Sequence, residues 1–103
     1  MKFNQIEHKE FYGIPRNARL NGFVIVNEEK DDMLALAQDF GKDIATFSAY
    51  TKNPACAVRF KNMECAAAVI DRISKPLLIS AVYETKKDLM IAAVCKYTPP
   101  LFS

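Results

Sequence analysis

No uninterrupted apolar run of about 18 residues occurs in this sequence, so no membrane-spanning helix is expected. The first ten residues, Met1 to Glu10, hold no apolar stretch of the signal-peptide kind, and the expected location is intracellular, nuclear or cytoplasmic. Cysteine is scarce: Cys56, Cys65 and Cys95 are odd in number and widely spaced, a poor disulfide framework. They read as reduced, buried, structural thiols. Histidine is scarcer still, since His8 stands alone, and no close Cys or His pair offers a zinc site. With three glycines in all there is no phosphate-cradling loop, and no Cys or Ser has a His partner in view. Asp31-Asp32 is no catalytic pair, because adjacent side chains on a helix do not face each other. Lys86-Lys87 reads as a solvated turn. The sequence therefore predicts no enzyme, no cofactor and no metal.

What is present fits one small domain. Of 103 residues, 50% are hydrophobic and 25% charged, an ordinary globular balance with room for a single core. The formal charge of +2 is unevenly placed. Residues 1–20 carry Lys2, Lys9, Arg16 and Arg19 against Glu7 and Glu10, whereas residues 21–103 balance to zero. A domain that holds nucleic acid through its phosphates usually shows a basic excess, and this body has none.

The first twenty residues read as a basic arm, punctuated by Gly13, Pro15, Asn17 and Asn21-Gly22. Phe23 to Asn27 reads as a buried strand. Met33, Leu36, Ala37 and Phe40 fall at i, i+3, i+4 and i+7, predicting a helix that starts in the acidic run Glu28, Glu29, Asp31, Asp32 and stops at Gly41. Ile44 to Tyr50 and Cys56 to Phe60 are expected strands, separated by a turn at Thr51-Lys52-Asn53-Pro54. A second helix starts after Asn62, carries the stripe Ala66, Val69, Ile70, Ile73 and ends at Ser74-Lys75-Pro76. Leu77 to Tyr83 is a fourth strand. For Lys86 to Tyr97 a helix is favoured over a strand. The predicted fold is α+β: a ferredoxin-like βαββαβ sandwich with a four-stranded antiparallel sheet and two helices on one face. Its parts are an arm (1–20), a domain (21–85) and a C-terminal extension (86–103) packing on the domain or on a partner.

From Gly22 to Tyr83 the chain resembles the RNA recognition motif. Met33-x-x-Leu36-Ala37-x-x-Phe40-Gly41 is similar to that family's first helix. Val58-Arg59-Phe60 with Asn62, Glu64, Ala66 and Ile70 is similar to its third strand and second helix. The resemblance implies RNA contact through stacked aromatic rings on the open sheet face. Ala55, Ala57 and Val24 stand where those rings belong, and Asn53 and Pro54 replace the basic residue and glycine that open the motif. RNA binding is therefore not carried over.

The vacated face is apolar and needs a cover, either the chain's own tail or another protein. Loss of the rings resembles the MPPN-type domain of pore-scaffold nucleoporins, as does Leu78-Ile-Ser-Ala-Val-Tyr83 leading into Thr85-Lys-Lys-Asp88. That likeness implies homodimerisation through the sheet. The expected function is a non-catalytic protein–protein assembly module, a nuclear pore scaffold component by this likeness, using Val24, Val26, Tyr50, Ala55, Ala57, Arg59, Leu78 and Val82. One alternative is an RNA-binding domain using Arg16, Arg19, Tyr50 and Arg59. Another is an ACT-like small-ligand regulatory domain, because Ile44 to Ser48 resembles that family's second strand, although Asp31-Asp32 stands in place of its glycine.

Overall fold

Apolar residues on both sides of the first strand decide the architecture. The computed structural model describes residues 3–38 and 47–100. In chain order these form helix α1 (Gln5–Tyr12), strands β1 (Arg19–Asn27), β2 (Asp32–Gln38) and β3 (Phe47–Thr51), a 3-10 turn (Pro54–Cys56), helix α2 (Met63–Ile73), and strands β4 (Leu77–Glu84) and β5 (Leu89–Tyr97). The strands make one antiparallel sheet in the order β3-β2-β1-β4-β5. The α+β class with an antiparallel sheet and two helices is as expected. Among the described residues the strands number five, where four were expected.

Two predicted helices are strands. The segment from Met33 is β2, with Phe40 and Gly41 outside the described residues. Met33 and Leu34 are both buried but join different clusters on opposite faces of the sheet, as only an extended chain allows. Met-Leu-Ala-Leu-Ala suits a helix by propensity, and its stripe is an accident of a run that is apolar throughout; pairing with β1 and β3 overrides it. The acidic run is the β1–β2 hairpin turn. There the buried Asn27 accepts from the Glu29 N–H (3.2 Å), and Asp31 sits at φ 54°. Lys86 to Tyr97 likewise holds no helix: Thr85 to Asp88 is a tight turn, and β5 pairs with β4 from Leu89 to Tyr97.

The predicted strand Cys56–Phe60 is a crossover. β1 and β2 pair only at Val26–Met33 and Asn27–Asp32, then diverge. Into the opening runs the chain after the 3-10 turn. The Val58 N–H reaches the Leu34 carbonyl (2.9 Å), and Phe60 exchanges two hydrogen bonds with Phe23, 2.8 Å each. Ala57 packs with Val24 and Val82 on one face, whereas Phe60 packs on the cluster of the other, so the chain passes from face to face through its own sheet. Gly22 makes the passage possible. Its φ is +87°, and a Cβ there would lie 2.8 Å from the Phe60 carbonyl oxygen.

α2 follows on the first face, as expected. Asn62 caps it by accepting from the Cys65 N–H (2.8 Å), and Ser74 ends it at φ 62°. Met63, Ala66, Ala67 and Ile70 are buried against Phe23, Ile25, Ile79, Ala81 and Tyr83, while Val69 and Ile73 pack at the margin. The residues expected to form an arm fold into α1 and the start of β1, where Arg19 and Leu20 pair with Glu84 and Tyr83.

Candidate interaction surfaces

The second face of the sheet is closed at its centre by the chain itself. Val24 and Val82 are fully buried, with Ala57 packed on them and Val26, Leu89 and Ile91 half-buried around them. Val24, Val26, Leu78 and Val82 do share this face, as the sequence implied, because Val24 and Val26 stand opposite Ser80 and Leu78. The other expected members are elsewhere. Tyr50 pairs with Leu34 and packs on the first face. Ala55 is exposed in the 3-10 turn, beside an equally exposed Cys56 that was expected to be buried. Ala57 is part of the cover. The Arg59 guanidinium donates to the Pro54 carbonyl (2.8 Å) and the Ala57 carbonyl (3.1 Å), bracing the turn that carries both. Lys96 and Glu28 pair at the rim at 3.4 Å, both exposed.

The residues considered for RNA are not gathered into one surface. Arg16 lines a groove beside α1, and Arg19 lies in a different hollow with Glu84 and Lys86. Tyr50 is in the core margin, and Arg59 is engaged as described.

α1 carries what the sequence reading missed. Asn4 caps it through the Glu7 N–H (3.1 Å), and Gly13 closes it in the left-handed conformation at φ 67°. Both caps were signals for a helix, but no apolar stripe accompanied them. None of its residues is buried. It is held by Phe3, edge-on to Phe23 at 5.3 Å between centroids, and by three polar attachments. The His8 Nε2 lies 2.8 Å from the Ala93 carbonyl, which can only accept, so Nε2 bears the proton. The His8 Nδ1 then accepts from the Tyr83 hydroxyl (2.8 Å), the two rings stacked at 5.7 Å. The third attachment is the Lys9 ammonium, which donates to the Ala18 carbonyl (2.6 Å) and the Arg16 carbonyl (3.1 Å) and lies 5.6 Å from the Tyr83 ring centre. Burial pushes the Tyr83 phenol above its ordinary range, which keeps it a hydrogen-bond donor.

α1 leaves its large apolar side chains open to water. Ile6 is 71% exposed, Phe11 81% and Tyr12 45%, the large hydrophobic side chains most exposed among the described residues. Phe11 and Tyr12 meet edge to face at 4.9 Å. Ile6 also borders the groove completed by Gly13, Ile14, Pro15 and Arg16.

Among the described residues no cluster of three or more His, Cys, Asp or Glu is placed to hold a metal, and no helix is long and apolar enough to cross a membrane. No family model, no curated protein and no solved structure matches the chain. The elements behind the RNA-recognition-motif likeness, a helix from Met33 and a strand at Val58–Phe60, are a strand and a crossover here. The charged helix start behind the nucleoporin likeness is the β4–β5 turn.

Proposed function

We propose that this chain is a non-catalytic protein-interaction module that presents helix α1, with the groove beside it, to a protein partner. One observation carries the reading: Ile6, Phe11 and Tyr12 are open to water on a helix of eight residues that buries none of its own side chains. Large aromatic and aliphatic side chains left open to water are what binding interfaces anchor on. The sheet face favoured from sequence takes a lesser part, since its centre is under Ala57, with Val26, Leu78, Leu89 and Ile91 partly open beside it.

The test substitutes Phe11→Asp and Ile6→Asp, separately and together. Neither residue supports the core, so the circular dichroism spectrum and melting temperature should stay near those of the parent. A photo-crosslinker at position 12 should capture a defined protein in cells with the parent chain and lose it with the double variant. Capture of the same protein by both would overturn the proposal.

A further inference from the structure

The outer edge of β5, the last strand of the sheet, pairs with no other described strand. In an antiparallel ladder, alternate residues turn both backbone groups toward one neighbouring strand. Phe23 gives both of its groups to Phe60, so on β1 it is Val24 and Val26 that face β4, opposite Ser80 and Leu78. Ile79, Ala81 and Tyr83 therefore face β5, opposite Cys95, Ala92 and Met90. Leu89, Ile91, Ala93 and Lys96 are left with their N–H and C=O groups pointing away from the sheet. The His8 bond to the Ala93 carbonyl agrees with this phase. Among the described residues, it is the one protein partner those edge groups have.

Natural sheets blunt such edges with charge, proline or a covering element. From Leu89 to Cys95 there is neither charge nor proline, and the described element that reaches this edge is α1, through the His8 bond to Ala93. We propose that α1 is a displaceable guard, and that once it moves aside the β5 edge pairs with β5 of a second copy of this chain. A two-fold axis at Ile91 suits β5 to itself. It sets Leu89 opposite Ala93 and Met90 opposite Ala92, large against small on each face, with no charged residue inside the paired window. It also gives the Ala93 carbonyl to the backbone N–H of Leu89 in the copy, so His8 and the second chain compete for one acceptor. The guard is lightly held, having no buried residue. This edge includes neither Ile6 nor Phe11, so the inference does not depend on the partner proposed above.

The experiment measures mass in solution over a dilution series of the full chain. His8→Ala frees the Ala93 carbonyl. A second release variant, Asn4→Ala with Gly13→Ala, removes both caps of α1 and leaves Tyr83 untouched, which covers the case in which His8→Ala fails to fold. Either variant, if folded, should lower the concentration for half-dimerisation by roughly tenfold or more relative to the parent. Adding Ile91→Lys, which puts a charge on the edge, should return it to monomer. Masses that match the parent at every concentration would overturn the proposal. So would a dimer indifferent to Ile91→Lys, or growth beyond a dimer, which would mean pairing with an edge other than β5.

Discussion

Phe60 and Phe23 hold each other by two backbone hydrogen bonds of 2.8 Å, and that bridge anchors the crossover in the gap between β1 and β2. Beside it Gly22 has no room for a side chain. Gly22→Ala should cost about 1–2 kcal/mol from the left-handed backbone alone, and more as Phe60 is pushed back. Urea unfolding measures it; a midpoint equal to the parent's would mean that β1 does not pass Phe60 as described.

Ile70 is fully buried under α2, against the first face of the sheet. Ile70→Ala should destabilise the protein by about 2–5 kcal/mol, the usual range for a truncated core aliphatic. An unchanged denaturation midpoint would contradict the phase of α2.

Lys9 ties the linker after α1 to the helix through the Arg16 and Ala18 carbonyls. Lys9→Met retains the aliphatic stem and removes the donor, so the loss should be about 1–2 kcal/mol, with faster amide exchange from Asn17 to Arg19. Exchange rates unaltered in that stretch would show that the ammonium does not hold it.

Alkaline pH should weaken the fold. Burial raises the Cys95 thiol above its ordinary 9.0 and the Tyr83 phenol above 10.0, so the folded state keeps protons that the unfolded chain has released. Their contribution is complete below those ordinary values and is lost as pH climbs through the raised ones. Urea midpoints should hold steady up to about pH 9 and fall beyond it. Tyr83→Phe should be less stable at neutral pH, through loss of the His8 bond, yet decline less steeply. Parallel declines in parent and variant would remove Tyr83 as a source.

Single-stranded RNA should bind weakly and without sequence preference, because Arg16, Arg19, Tyr50 and Arg59 belong to separate parts of the surface or are already engaged. Sub-micromolar, sequence-selective binding in a titration at physiological salt would contradict this.

What could be read from sequence was whatever local chemistry determines. Asn62, the stripe through Ile70 and the Ser74 stop define α2 without outside help, and Leu77 to Tyr83 is an apolar run too short for a helix. β2 and β5 were misread because both are apolar on two faces. Met33 beside Leu34, or Ile91 beside Ala92, carries no period that separates a doubly buried strand from a helix. What decides them is pairing with distant strands. α1 failed for the opposite reason, having caps but no apolar stripe. The His8 contacts with Tyr83 and Ala93 bridge 75 and 85 residues, respectively, and no short-range pattern encodes them.

The passage of the chain through its sheet also bears on the order in which the molecule can assemble. β1 and β2 are joined by a four-residue turn, yet zippering from that turn stops after two residue pairs, because the next places belong to Val58 and Phe60. The quickest local hairpin is thus incomplete by construction. Folding is then expected to wait on a distant segment, delivered together with the helix that follows it, so that closure of the sheet and docking of α2 should form one kinetic event.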